Sequence, residues 1–181
     1  MPLPLQTARL TLHPFDEGDT DRLFELFGDP EVMRFVGRGA PLDRDELVAS
    51  QARVAAHWRA HGFGPLAVVE RASGALIGEC GLQLLEDGPD VELTYTLARG
   101  FWGRGYATEA AAAALDWGFG ALGLTRIVGV AYPENLASQR VLEKVGMRRL
   151  GLRRCYGAEL VEFVAERLAP RAAPEVPAPA G

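Results

Sequence analysis

A predicted strand, a glycine-rich turn and an alanine-rich helix follow one another in residues 91–114, VELTYTLARGFWGRGYATEAAAAA, and this join constrains the chain most. Residues 91–98 alternate between apolar and polar, which predicts a strand with one polar face. Gly103 and Gly105 let the backbone turn sharply. The helix predicted to begin near Tyr106 opens with N–H groups that lack intrahelical partners and with the positive end of its dipole. The join therefore favours a bound anion such as a phosphate.

Two motifs on either side of the next predicted strand resemble those of one known superfamily. Residues 100–110, GFWGRGYATEA, resemble the acyl-CoA pyrophosphate loop of the GNAT acetyltransferase superfamily. Residues 135–147, NLASQRVLEKVGM, are similar to its Asn-x-x-Ser helix. Two motifs in the family's order are more specific than one. The resemblance covers residues 7–168, and the opening "T-x-R-L-x-L" string of residues 7–12 is similar to the ribosomal-protein-alanine acetyltransferase branch.

The loop departs from the superfamily's general pattern at its first position. That pattern begins with Gln or Arg, where this chain has Trp102, whereas Gly105 and Ala107 match it. The branch often has an aromatic residue there, and backbone amides supply most of the pyrophosphate contacts, so the binding mechanism is retained. Arg104 has two interpretations at this point, a charge-assisted contact to a phosphate oxygen or a solvated loop arginine.

The resemblance implies acetyl-CoA as the cosubstrate and no metal. The implied coenzyme-binding residues run from the end of the strand into the first turn of the helix, with two more on the later helix: Leu97, Trp102, Gly103, Arg104, Gly105, Tyr106, Ala107, Thr108, Asn135 and Ser138. Asn135 is also a good helix N-cap, and Ser138 is equally typical of an ordinary first helical turn.

Acetyl transfer from a thioester to an amine needs a proton acceptor, donors for the developing oxyanion and a proton donor for the leaving thiolate. Glu92 is the first candidate for the general base, because its strand runs, by resemblance, beside the pantetheine arm; a solvent-facing strand glutamate is the alternative. Glu79 is the reserve candidate. Backbone N–H groups near Leu97 are suited to polarising the carbonyl, and Ser138 to donating to the thiolate. Tyr156 is a second candidate for that acid.

The periodicity predicts one α+β domain with a mixed, largely antiparallel sheet and helices on both faces. A seven-strand sheet with two adjacent strands splayed to admit the pantetheine arm is what the resemblance implies. The predicted strands are residues 9–13, 66–70, 76–85, 91–98, 126–130, 148–154 and 159–168. A first helix is predicted after capping residues within 16–21, a second after Asp43, a third from about residue 106 and a fourth from residue 135. Residues 1–168 are therefore assigned to a GNAT N-acetyltransferase domain, and residues 169–181 to a flexible tail rich in proline and alanine.

Composition narrows the classes of partner. A net charge of -5 argues against nonspecific nucleic-acid binding. No apolar run is long enough to cross a membrane and the start does not read as a signal peptide, so a cytoplasmic location is expected. Cys80 and Cys155 are too few for a disulfide framework, and three histidines, His13, His57 and His61, indicate no zinc site.

The sequence thus predicts an acetyl-CoA-dependent N-acetyltransferase that acts on a primary amine, either a protein N-terminus or a small molecule. The alternative is a non-catalytic acyl-CoA-binding module that senses the coenzyme. A nucleotide-phosphate enzyme is disfavoured because no Gly-Lys-Ser/Thr follows the glycines. By resemblance, residues 35–41, the second helix and residues 61–64 would line the amine pocket. This makes His57, Trp58 and His61 candidate neighbours of the substrate, although packing or surface roles are favoured for each. A homodimer remains an open alternative.

Overall fold

A computed structural model describes residues 3–167, so the predicted tail of residues 169–181 lies outside the described residues. One eight-stranded sheet has the order β1-β2-β3-β4-β5-β6-β8-β7. The strands are β1 (Leu5–Gln6), β2 (Leu10–His13), β3 (Pro65–Glu70), β4 (Leu76–Leu84), β5 (Val91–Leu97), β6 (Arg126–Ala131), β7 (Arg148–Cys155) and β8 (Ala158–Glu166). The helices are α1 (Thr20–Phe27), α2 (Pro30–Met33), α3 (Arg44–His61), α4 (Tyr106–Gly120) and α5 (Leu136–Lys144).

The predicted mixed, largely antiparallel sheet is confirmed, but it has eight strands instead of seven. The additional strand, β1, has only two residues, and Leu5 pairs with Leu12 of β2. Two residues are too few to show an alternation of polar and apolar side chains. The short helix α2 was not predicted for the same reason, since its four residues make only about one helical turn and show no periodicity.

Helix α3 begins and ends where its sequence predicts. Asp43 Oδ1 accepts from the Glu46 N–H at 2.8 Å, and Glu46 Oε2 accepts from the Asp43 N–H at 2.9 Å, which completes the expected capping box. Gly62 ends the helix in the left-handed conformation with φ 74°. Helix α3 has 18 residues. No helix within residues 3–167 is long and apolar enough to cross a bilayer.

The sheet opens between β5 and β6. These neighbours run parallel and share a single aligned pair, Glu92 with Val128, whereas β5 pairs with β4 along its whole length. The Ala98 N–H donates to the Ile77 carbonyl at 2.9 Å, so in the antiparallel ladder the N–H and C=O of Leu97 point away from β4, toward the opening. Beyond Glu92, one side of β5 therefore presents main-chain groups to a gap.

The two faces of the sheet are covered by different helices. Leu82 and Leu93 belong to the main core, together with Ala110 and Ala114 of α4, and these alanines are fully buried. Their small side chains let α4 lie close to the sheet. A second core joins α1, α2 and α3 around Leu76, on the opposite face.

Candidate active site

The N-terminus of α4 is built by two glycines with positive φ. Gly103 has φ 71° and Gly105, the N-cap residue, has φ 82°. A β-carbon at Gly103 would meet no atom within 4 Å, so the left-handed conformation is what favours glycine there. The Glu109 N–H donates to the Gly105 carbonyl at 3.1 Å as the first helical bond. The three preceding N–H groups are free of helical acceptors: Tyr106, Ala107 and Thr108.

The first turn of α4 is held by the start of the chain. Glu109 Oε1 accepts from Thr7 Oγ1 at 2.6 Å and from the Arg9 N–H at 2.8 Å, while its Oε2 accepts from Arg9 Nε at 2.6 Å. Arg9 Nη1 also donates to the Arg104 carbonyl, at 2.9 Å. Sequence reasoning missed this anchor, although the signal was present in the Thr-x-Arg string and in an acidic residue in the predicted first turn.

The side chains of Trp102 and Arg104 in the loop form hydrogen bonds with neighbouring residues of the chain. Trp102 Nε1 donates to the Leu97 carbonyl at 2.6 Å, so the indole that replaces Gln or Arg fastens the loop to the open side of β5. Arg104 Nη2 lies 3.2 Å from the Tyr106 hydroxyl and 3.4 Å from Glu70. Arg104 is thus not a purely solvated side chain, and its contact to a phosphate oxygen stays a prediction.

The predicted Asn-x-x-Ser pair sits at the start of α5. Asn135 is its N-cap, and its side-chain oxygen accepts from the Ser138 N–H at 3.1 Å, as in the capping interpretation. The cap uses only the oxygen of the amide. The Tyr95 hydroxyl donates to the Ser138 carbonyl at 2.9 Å and lies 2.8 Å from the Ser138 hydroxyl, where either group can donate.

Tyr95 was not predicted as a site residue. It lies on β5 among inward-facing apolar residues, and a partly buried tyrosine needs a hydrogen-bond partner, which was the available signal. Its hydroxyl connects β5 to α5 across the gap beside β6. Ser138 is therefore fixed at the opening of the sheet.

The Glu92 carboxylate is buried, with only 5% of the residue exposed. The alternative of a solvent-facing strand glutamate is thus wrong, because the polar face of β5 is covered. Glu92 Oε2 accepts from the Tyr156 hydroxyl at 2.6 Å and from Gln83 Nε2 at 3.3 Å. Burial raises the pKa of Glu92, and these two hydrogen bonds partly oppose the rise.

Tyr156 is held in a strained conformation beside Glu92. Its φ is 52°, and its N–H donates to Glu86, which also has a positive φ of 50°. Burial and the neighbouring Glu92 carboxylate raise the pKa of Tyr156. The structure therefore brings Tyr156 to the candidate base, and its hydroxyl is engaged there instead of at Ser138.

Glu79, the reserve candidate, lies on β4 opposite Thr96 of β5. It is partly buried, and burial alone raises the pKa of its carboxyl to about 7. It is one strand further from the gap than Glu92, which borders the point where β5 and β6 separate. We therefore retain Glu92 as the first candidate.

The aromatic residues of α3 pack as expected. His57 Nε2 accepts from the Leu84 N–H at 3.1 Å, and Trp58 stacks on Trp117 at 5.9 Å between ring centroids. His61 lies 4.6 Å from the His57 ring. In the loop after α2, the Phe35 ring is 5.8 Å from that of Tyr132, just beyond β6.

One group of potential metal ligands is present in residues 3–167. One ligand atom from each of His13, Asp16 and Asp19 lies within 4.8 Å of the others. The two carboxylates accept main-chain N–H groups of the turn before α1, those of Gly18 and Asp16. These bonds account for their placement as turn caps, and we assign no metal to them.

In this chain the sheet opens between β5 and β6, beside the N-terminus of α4 with its two glycines. This arrangement is that of the acyl-CoA N-acyltransferases. Residues 9–148 match the family model of the acetyltransferase (GNAT) domain. The chain belongs to the GNAT acetyltransferase family, and it is an acyltransferase.

Individual relatives agree with this assignment. The chain is 31% identical to an uncharacterized N-acetyltransferase of Bacillus licheniformis, over 84% of this chain and 86% of the relative. An acetyltransferase from Agrobacterium tumefaciens str. C58 is 30% identical with a TM-score of 0.80, covering 92% of this chain and 96% of that one. Spermidine N-acetyltransferase from Vibrio cholerae, in complex with CoA and spermine, shares the fold at a TM-score of 0.73 and 21% identity, covering 88% and 96%.

Proposed function

We propose that this protein transfers the acetyl group of acetyl-CoA directly to a primary amine. The observation that carries the proposal is the join of β5 and α4, where free helical N–H groups stand at the mouth of a gap in the sheet. Such donors and the helix dipole suit a pyrophosphate. The V. cholerae enzyme with this fold is itself bound to CoA.

The N–H groups of residues 103–108 and the side chain of Asn135 would hold the coenzyme. When bound, acetyl-CoA supplies the activated acyl group. The N–H of Leu97 faces the gap and would donate to the carbonyl oxygen as negative charge develops there. A main-chain donor fixed in a strand needs little reorganisation during the reaction.

Glu92 would accept a proton from the acceptor ammonium, directly or through a water molecule. An alkyl ammonium is largely protonated at neutral pH, and only the free amine has the lone pair that attacks. A carboxyl whose pKa is raised by burial is a stronger base than an exposed one. Ser138, fixed by Tyr95, would donate its hydroxyl proton to the leaving sulfur.

The acceptor is a primary amine of a small molecule or of a protein N-terminus. The opening string of residues 7–12 supports placement near the ribosomal-protein-alanine branch. A cytoplasmic location and a lack of nucleic-acid binding stay predictions from composition, and a homodimer also stays a prediction. The alternative function is a coenzyme-sensing module that keeps the loop without the chemistry.

Release of free thiol from acetyl-CoA tests the proposal against this alternative. A panel of peptides and small amines should include acceptors that release thiol in proportion to N-acetyl product. Tight coenzyme binding with no product from any amine would favour the sensing module. Comparison with ATP as a binding competitor separates both from a nucleotide-phosphate enzyme.

Replacing Glu109 should loosen the coenzyme loop. Glu109→Ala removes the carboxylate that holds Thr7 and Arg9, and we expect the Kd for CoA to rise about tenfold and stability to fall by about 2 kcal/mol. Calorimetry and thermal unfolding measure the two effects. Glu143→Ala on the exposed side of α5 is the control and should change neither. An unchanged Kd in Glu109→Ala would show that the anchor does not support binding.

Removing the Tyr156 hydroxyl should move the pH profile. The hydrogen bond from Tyr156 lowers the pKa of Glu92, so Tyr156→Phe raises that pKa. Because the base must be ionised, the acidic limb of kcat/KM should shift to higher pH by about one unit, with activity recovered at alkaline pH. Arg153 and Glu86, whose charges also act on Glu92, are unchanged in this variant. A loss of activity equal at every pH would contradict this role.

A further inference from the structure

The partly buried Glu79 carboxylate lies on β4, one of the central strands of the sheet, with no charged partner among residues 3–167. Its neighbours across the ladder are Ala67 on β3 and Thr96 on β5, and neither supplies a countercharge. Its side chain forms no hydrogen bond or ion pair within residues 3–167, and burial raises the pKa of its carboxyl to about 7. A carboxylate in that position destabilises the free protein unless a ligand compensates it.

The Glu79 side chain is nevertheless within reach of a ligand. Among the described residues, every fully enclosed polar side-chain atom has a hydrogen-bond partner. The unbonded oxygens of Glu79 must therefore lie at a surface accessible to solvent, although the residue is partly buried. Glu79 is thus a partly buried carboxylate that a ligand can reach.

Glu79 lies on the same face of the sheet as the proposed base. Glu92 is aligned with Gln83, four residues beyond Glu79 on β4, and side chains four apart in a strand share a face. The Cα atoms of Glu79 and Glu92 are thus about 13 Å apart along the strands. A molecule whose amine reaches Glu92 can extend along this face to Glu79.

We propose that Glu79 binds a second cationic group of the acceptor, so that the substrate is a primary amine carrying another ammonium or guanidinium group. This inference rests on the proposed function and specifies its substrate class. A cation at Glu79 would supply the countercharge that the fold lacks there. The Glu92 carboxylate is already occupied by Tyr156 and Gln83, which leaves Glu79 as the free anion on this face among residues 3–167 with no such partners.

Matched acceptors that differ by one charge test the proposal. With the intact enzyme, kcat/KM for diaminooctane should exceed that for octylamine by about tenfold or more. Glu79→Gln should bring the ratio close to one by raising KM for the diamine, with little change in its kcat. The exposed Glu143→Gln removes an equal charge elsewhere and should keep the ratio. An alanyl-lysine amide and an alanyl-glutamine amide repeat the comparison and show whether a peptide supplies the second charge.

Thermal denaturation shows whether Glu79→Gln has lost the binding site or has simply unfolded. Glu79→Gln removes an uncompensated carboxylate, so its melting temperature at mildly alkaline pH should equal or exceed that of the wild type. Equal kcat/KM for charged and uncharged partners in the wild type, or an unchanged ratio in Glu79→Gln, would overturn the proposal.

A failure of the proposed function has a different signature. If no amine releases thiol, stabilisation of the CoA complex by diaminooctane still measures binding at Glu79. A rise in melting temperature that Glu79→Gln abolishes supports the site, and no rise in the wild type overturns it.

Discussion

Gly105→Glu is expected to raise the Kd for CoA about a hundredfold or more. The side chain begins at the N-cap of α4, and its carboxylate would stand beside the free N–H groups that favour an anion. The left-handed φ of 82° adds backbone strain for any residue with a β-carbon. Isothermal titration with CoA and with acetyl-CoA measures the loss.

Gly105→Gln is the matched control for this substitution. It has nearly the same size and the same strain but no charge, and space is available because the nearest atom to a β-carbon, Arg9 Nη2, is 3.5 Å away. We expect it to weaken binding about tenfold. Equal losses for Glu and Gln would mean that conformation, not charge, governs the site. Tight binding by Gly105→Glu would mean that the coenzyme binds elsewhere.

Glu92→Gln is expected to lower kcat by about a hundredfold or more while the Kd for acetyl-CoA stays within about twofold. The amide keeps an acceptor for the Tyr156 hydroxyl, so the buried network can persist without the base. The pH profile of kcat/KM should lose its acidic limb. Thiol-release assays across pH measure kcat and the acidic limb, and calorimetry measures the Kd for acetyl-CoA.

Glu159→Gln, on the exposed side of β8, supplies the comparison of equal charge change. It should leave kcat and the pH limb unchanged. If Glu92→Gln retains the wild-type profile, a group other than Glu92 accepts the proton.

The sequence predicts the parts of this site that depend on local conformation. Gly103 and Gly105 are readable because a left-handed backbone requires them, and Asn135 because its side chain caps the next helix. The strand that carries Glu92 is readable from its alternation. Each of these signals lies within a few residues of the feature that it specifies.

Contacts between distant segments were not readable in the same way. Period-two alternation separates two faces of β5 but does not say that both are covered, so the burial of Glu92 required the fold. The hydrogen bond from Tyr156 to Glu92 joins residues 64 positions apart, and Tyr95 reaches Ser138 over 43 positions. No spacing rule connects such pairs in a single sequence.

The hydrogen-bonded ion pair of Arg9 and Glu109 joins residues 100 positions apart, which affects the order in which the coenzyme loop can assemble during synthesis. The segment of Thr7 and Arg9, between β1 and β2, is synthesised long before α4, so the loop at the start of α4 is not held in place until both segments are made. High affinity for CoA would then require both segments. Fragments that lack the first ten residues should keep most of the sheet yet hold the coenzyme weakly.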